Sequence, residues 1–169
     1  PADNATGVAV DSNIVLNFSE AVDVESGNIT IKKTSDNSTI ETIDVTSGQV
    51  TGSGTTQITI NPSSNLSSST QYYVQIAVTA FDDSSSNSYA GISNTTSLSF
   101  TTADVIAPSL SSSSPSDNAT GVAVDSNIVL NFSEAVDVES GNITIKKTSD
   151  NSTIETIDVT SGQVIGSGT

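Results

Sequence analysis

Residues 71–81 read QYYVQIAVTAF, and this stretch decides the fold class of the chain. Its apolar side chains fall on every second position, at Tyr72, Val74, Ile76 and Val78. Successive residues of a strand point to opposite faces, whereas a helix would need apolar residues three and four positions apart. The pattern therefore predicts a strand over residues 71–81 with one face in a core.

The same alternation recurs on both sides of this stretch. Further strands are predicted at about 13–19, around Ile29 and Ile31, around Ile43 and Val45, around Ile58 and Ile60, and from Leu98 to Thr102. Asn, Asp, Gly, Ser and Pro separate these runs, as expected of an antiparallel sandwich, and no helical pattern is convincing. The sequence therefore predicts an all-β fold.

The chain also repeats itself at a fixed offset of 114 residues. Residues 1–55 return as residues 115–169, and only Ala2/Ser116 and Thr51/Ile165 differ. This period is longer than that of solenoid repeats and matches one small domain. It predicts a tandem array of domains.

The repeat also suggests where the domains divide. We expect a first domain at 1–104, a linker at 105–107, and the N-terminal half of a second domain at 108–169. The segment 108–115 would be the first of seven strands. Its counterpart in the first domain would then precede Pro1, so we expect the chain to be a window on a longer array.

The composition argues against several kinds of chemistry. The chain has no Cys and no His, which removes the usual ligands of zinc, copper and haem and the nucleophiles of thiol and Ser–His catalysis. Nineteen acidic residues against four lysines give a net charge of −15. This charge opposes nucleic acid and anionic membranes as partners. We expect neither partner for this segment, and no enzymatic activity.

The order of motifs along one repeat resembles a known family. The motifs are DNATGVAVDSNIVLNFSEAVD at 3–23, GNITI at 27–31, TQITINPSSNLSSSTQYYVQI at 56–76, FDDSSSNSYAGI at 81–92 and SLSFTT at 97–102. They resemble the bacterial Ig-like domain family, found in tandem in large bacterial surface proteins, adhesins and S-layer proteins. The resemblance implies a seven-stranded Ig-like Greek-key sandwich with a structural role outside the cell, at its surface.

One tyrosine is predicted to hold a crossover between sheets. Leu66 lies six residues before Tyr72, where the long strand begins. In Greek-key sandwiches a tyrosine at this place bonds through its hydroxyl to the backbone a few residues upstream. The alternative is that Tyr72 is simply a core aromatic, and in both cases its role is structural.

Clustered carboxylates predict a cation site. The loop at 19–27 and the loop that follows residue 81 should share one end of the domain, and Asp104 should lie at the junction with the next domain. Ca²⁺ takes six to eight oxygen ligands and would offset the repulsion of clustered carboxylates. We therefore predict Ca²⁺ at domain junctions, which would stiffen them. The candidate ligands are Glu20, Asp23, Glu25, Asp82, Asp83, Asp104, Glu134, Asp137 and Glu139.

Two alternatives to calcium remain open at this stage. Lys32 and Lys33 are expected at the opposite end of the domain, so they could match the acidic end of a neighbouring domain without a metal. The acidic side chains could also be solvated loop residues.

Two functional interpretations follow. The first is a structural link in a stalk, adhesin shaft, S-layer or filament, with neighbouring copies of the repeat as partners in cis and, in a filament, in trans. The second is a weak binder of glycan or protein that gains strength through multivalency. The second predicts an exposed aromatic residue, for which Tyr89 is the candidate. Tyr89 could equally fold back onto the core.

Overall fold

The computed structural model describes residues 1–168, which form thirteen strands and no helix. The strands are β1 (Ala5–Val8), β2 (Ile14–Val24), β3 (Asn28–Lys33), β4 (Thr39–Asp44), β5 (Val50–Thr51), β6 (Thr55–Ile60), β7 (Gln71–Ile76), β8 (Phe81–Asp82), β9 (Ser99–Thr102), β10 (Leu110–Ser114), β11 (Val129–Phe132), β12 (Asn142–Lys146) and β13 (Thr153–Asp158). The chain divides into unit 1, residues 1–106, and unit 2, residues 107–169.

Unit 1 is a sandwich of two sheets. One sheet has the order β1-β9-β7-β3-β4 and the other the order β5-β6-β2-β8. The alternating apolar residues of both sheets face inward and form one core, because this arrangement removes them from water while every strand keeps its backbone hydrogen bonds. Its fully buried members include Ile14, Ile29, Ile31, Ile43, Ile58, Ile60, Tyr72, Val74, Phe81 and Phe100.

The strands of unit 1 outnumber those that the sequence predicts. Residues 1–106 contain nine strands, of which β1, β5 and β8 were not predicted. β5 and β8 have two residues each, and β1 has the sequence ATGV without alternation. These short strands form because a partner strand lies beside them, and no local sequence pattern predicts them.

Two predicted boundaries were wrong. The strand predicted over 71–81 ends at Ile76, and Val78 is 59% exposed rather than core-facing. A turn closed by the Ala80 N–H to Ala77 carbonyl bond then carries the chain across to the other sheet, where Phe81 pairs with Val24. β2 in turn extends to Val24, so part of the predicted loop at 19–27 is strand.

The predicted tyrosine interaction is confirmed. The backbone N–H of Ser67 donates to the hydroxyl oxygen of Tyr72 at 3.0 Å. Leu66 is buried beside this contact, and its own backbone N–H donates to the carbonyl of Val10. The Tyr72 hydroxyl thus satisfies a backbone donor in the loop that joins β6 of one sheet to β7 of the other.

Unit 2 consists of two separate two-stranded ladders, β10–β11 and β12–β13. β12–β13 has the same register as β3–β4 shifted by 114 residues; Ile143 pairs with Ile157 as Ile29 pairs with Ile43. None of the described residues of unit 2 is buried.

Candidate functional site

The first and last strands of unit 1 are neighbours and run in the same direction. β1 pairs in parallel with β9, with Ala5 opposite Phe100 and Val8 opposite Thr102. Backbone hydrogen bonds of 2.7 Å close both ends of this terminal ladder, from the N–H of Asn4 to the carbonyl of Ser99 and from the N–H of Ala103 to the carbonyl of Val8. The chain therefore enters and leaves unit 1 through two directly bonded strands.

A carboxylate fastens the entry side of this ladder. Asp3 Oδ1 accepts hydrogen bonds from the backbone N–H of Ser99 at 2.9 Å and from its hydroxyl at 3.1 Å. Ser99 is only 5% exposed, so these bonds are partly shielded from water. A charged acceptor forms stronger hydrogen bonds than a neutral one.

Hydroxyl groups fasten the exit side. The Thr102 hydroxyl donates to the carbonyl of Ser67 at 2.6 Å and accepts from the backbone N–H of Thr70 at 2.9 Å. The Ser68 hydroxyl donates to Asp104 Oδ1 at 3.0 Å and accepts from the N–H of Val105 at 2.9 Å. The first residues after β9 are thus held against the loop that precedes β7.

Asp104 has a local structural role, and its role at a domain junction stays a prediction. Its Oδ1 atom also accepts the backbone N–H of Ile106 at 3.0 Å. This geometry caps the start of the segment that follows β9. Glu134, half-buried, and Asp137 and Glu139, both exposed, belong to unit 2.

Among the predicted ligands of unit 1, Asp23 and Asp82 are brought together. They are opposite residues of the β2–β8 ladder, where β-carbons lie about 4.5–5.5 Å apart and like charges repel. Asp23 Oδ1 also accepts a long hydrogen bond of 3.5 Å from the Ser53 hydroxyl. Glu20 lies on β2 rather than in a loop, and both Glu20 and Glu25 are exposed.

Asp83 organises its own loop. Its Oδ1 accepts the backbone N–H groups of Ser85 and Asn87, both at 2.8 Å, and its Oδ2 accepts the Asn87 side-chain amide at 2.8 Å. The Asn87 side chain contributes most to holding the pKa of the Asp83 carboxyl below its ordinary value, followed by the Asn87 backbone. Within residues 1–168 no group of three or more His, Cys, Asp or Glu side chains is placed to hold a metal ion.

Tyr89 packs inward. Its ring meets Phe18 edge-on with centroids 5.3 Å apart, and Phe18 meets Phe81 in the same way at 5.5 Å. Partial burial raises the pKa of the Tyr89 hydroxyl. The ring therefore completes the rim of the core, and the exposed aromatic that a glycan-binding role predicts is missing from this loop.

Sequence reasoning missed the residues that fasten the terminal ladder, namely Asp3, Ser99 and Ser68. Asp3 and Ser99 lie 96 positions apart, and a single sequence contains no signal that pairs them. A weak signal existed for Ser68, since it belongs to a Ser-rich run directly before the predicted tyrosine interaction.

The comparisons with known proteins agree with this architecture. No helix among the described residues is long and apolar enough to cross a membrane. No curated protein and no solved structure matches the chain. A family model described as bacterial Ig-like domain matches residues 1–102 and again residues 104–165. Because these two matches cover nearly the whole sequence, the chain belongs to the bacterial Ig-like domain family.

Proposed function

We propose that the chain is a structural link of a long extracellular surface protein of bacteria, such as an adhesin stalk, an S-layer protein or a filament subunit. Its function would be to give reach and to transmit tension from one domain to the next. The observation that supports this most is the parallel pairing of β1 with β9.

The direction of the terminal strands determines how they respond to tension. Pulling on the two ends of unit 1 draws β1 backward and β9 forward along their common axis. This short parallel ladder has a register shift between Ala5 and Val8, and its bonds are then loaded in shear rather than one after another. Bonds at the end of an antiparallel ladder would instead break one at a time. Forced unfolding is governed by the unfolding rate. A domain whose terminal strands must be sheared apart should unfold slowly and therefore resist force well.

The side-chain bonds at both ends of the ladder suit the same role. Asp3 ties β1 to Ser99, and Ser68 ties the segment after β9 to the body of unit 1. Peeling either strand from its end would first have to break these contacts. The high negative charge would also keep neighbouring arrays apart and soluble.

Calcium at domain junctions remains part of the proposal as a prediction. The facing carboxylates of Asp23 and Asp82 support it, because a cation bound between them would remove their repulsion. Bound Ca²⁺ would stiffen the end of the domain where β2 and β8 meet. Thermal unfolding with Ca²⁺ and with a chelator tests this, and equal midpoints would contradict it.

The tension-bearing role is tested by single-molecule force spectroscopy. The chain has no cysteine, so Pro1→Cys and Ile106→Cys provide two unique attachment points. Asp3→Ala should lower the rupture force of unit 1, because Ser99 loses its carboxylate acceptor. Asp11→Ala removes the same charge from an exposed turn and serves as the control. Equal rupture forces for the two variants would contradict a role for Asp3 in bearing load.

A further inference from the structure

The outer face of the larger sheet in unit 1 carries an open groove between β3, β7 and the segment 92–93. Its volume is about 370 Å³, near the lower end of the range of about 300–1,000 Å³ that is typical of small-molecule sites. All lining residues lie between positions 27 and 93, so unit 1 alone forms the groove. Its polar side chains are those of Asn28, Thr30, Gln75 and Ser93.

The strand register brings three of these polar side chains together. Thr30 on β3 lies directly opposite Gln75 on β7. Ile29 and Ile31, the chain neighbours of Thr30, are fully buried in the core. Because side chains alternate between the two faces of a strand, Asn28, Thr30 and Gln75 all point away from the core. Opposite residues of a ladder have β-carbons about 4.5–5.5 Å apart, so one small ligand can contact several of these side chains.

The backbone at the floor of the groove is already paired. The N–H of Ala77 donates to the carbonyl of Asn28 at 3.0 Å. Ile76 and Ile92 exchange two backbone hydrogen bonds, of 2.8 and 2.9 Å. A peptide that binds as an added strand needs unpaired backbone groups. Recognition in this groove therefore depends on side chains.

The lining of the groove is uncharged and mostly polar. Asn28 is exposed and Thr30 is half-buried, so solvent can reach their amide and hydroxyl groups. Gln75 Nε2 donates to the carbonyl of Ser93 at 2.6 Å, which fixes the amide, while the amide oxygen can still accept a bond. The methyl group of Ala77 adds a small apolar area. Amides and hydroxyls both donate and accept, and so do the hydroxyl groups of a sugar.

The charge of the chain narrows the class of ligand further. Nineteen acidic residues against four lysines repel anions, and no lining residue supplies a counter-charge for an ion of either sign. We infer that the groove binds a neutral saccharide through Asn28, Thr30 and Gln75. No aromatic ring lines the groove, so a single groove should bind weakly, with a Kd of about 1 mM or above. Repeated grooves along an array would raise the avidity.

NMR titration of the isotope-labelled full chain tests this site. The probes are the neutral saccharides cellobiose, maltose, lactose and diacetylchitobiose, with glucuronate as the charged control. At least one neutral saccharide should shift the side-chain amide signals of Asn28 and Gln75 saturably, and glucuronate should leave them unchanged. The proposal would be overturned if no saccharide of the panel shifted these signals saturably, or if glucuronate shifted them equally.

Two matched threonine variants separate binding in the groove from general surface contact. Thr30→Val removes a hydroxyl from the groove but keeps a β-branched side chain, and it should weaken saccharide binding about two- to tenfold. Thr42→Val makes the same change at the opposite position of β4, outside the groove, and should leave the affinity unchanged. Equal affinities of the two variants would contradict the site. Saccharide binding would add a function to the tension-bearing role and does not depend on it, because that role rests on β1 and β9.

Discussion

The first 55 residues of the chain and the last 55 have almost the same sequence and different structures. Ile14 is fully buried in unit 1, whereas its counterpart Ile128 is 54% exposed in unit 2. Phe18 packs against Phe81 and Tyr89, which lie in the segment 56–104 that follows the first copy, whereas its counterpart Phe132 is 39% exposed. Burial is therefore a property that the second half of the repeat confers on the first.

The comparison also separates local from non-local structure. The β3–β4 hairpin returns as β12–β13 in the same register, so its pairing depends on residues within the hairpin. β1 has no counterpart strand in unit 2, and β2 shrinks from 11 residues to the 4 of β11. Those elements form in unit 1 because β9, β6 and β8 pair with them.

The largest expected difference in stability comes from making the same substitution separately at the two matching positions of the repeat. Ile31→Ala empties a fully buried position and should destabilise unit 1 by about 2–5 kcal/mol. Ile145→Ala changes the matching, only partly buried residue of unit 2 and should cost about 0.5 kcal/mol or less. Urea unfolding of both variants measures the difference. Similar losses at the two sites would mean that the first half of the repeat carries its own core.

A smaller loss of unfolding free energy is expected when the hydrogen bond of the Tyr72 hydroxyl is removed. Tyr72→Phe removes the acceptor of the Ser67 backbone N–H, a part-buried contact, which should cost about 0.5–1.5 kcal/mol. Tyr73→Phe is the control, since its hydroxyl donates to the exposed Asn37 side chain, which water can satisfy. Its loss of unfolding free energy should be smaller, about 0.5 kcal/mol or less. A smaller loss for Tyr72→Phe than for Tyr73→Phe in chemical denaturation would remove Tyr72 as the anchor.

A smaller change in stability is expected at the facing carboxylates of Asp23 and Asp82. Its sign decides whether the pair binds Ca²⁺ or only repels. In chelator, Asp82→Asn should stabilise unit 1 by about 0.2–1 kcal/mol, because it removes repulsion from Asp23. In Ca²⁺ the same variant should lower the unfolding midpoint relative to the parent chain if an ion is bound there. Thermal unfolding under both conditions measures the sign. A stabilising effect in both would contradict calcium at this pair.

The smallest expected effect is the lowered pKa of one aspartate in each copy of the hairpin, and it should be the same in β3–β4 and β12–β13. The hydroxyl of Ser38 lowers the pKa of Asp36, and the hydroxyl of Ser152 lowers the pKa of Asp150 in the same way. A lowered pKa stabilises the fold above the unfolded value of about 3.9, and that stability is lost as the pH falls through the folded pKa. NMR titration should give matching pKa values. A clear difference would show that contacts beyond the hairpin act on these groups.

Sequence reasoning succeeded where the pattern is local. Alternation located the core of β2, β3, β6 and β9, and the spacing of Leu66 and Tyr72 predicted a hydrogen bond that the structure contains. It failed where a distant partner decides. Nothing near Ile76 indicates that β7 ends there, because the reason is the pairing of Phe81 with Val24 across the sandwich. The contact of Asp3 with Ser99 could not be predicted either, because the two residues lie 96 positions apart in the sequence.

The tension-bearing role of the terminal ladder is tested most directly by changing the direction of pull. Attachment through Pro1→Cys and Ile106→Cys loads β1 and β9 in shear, whereas attachment through Pro1→Cys and Thr95→Cys pulls both strands apart from the same end. A ladder that bears load should rupture at a force several times higher in the first geometry than in the second. Equal forces in the two geometries would contradict the proposal that β1 and β9 transmit tension.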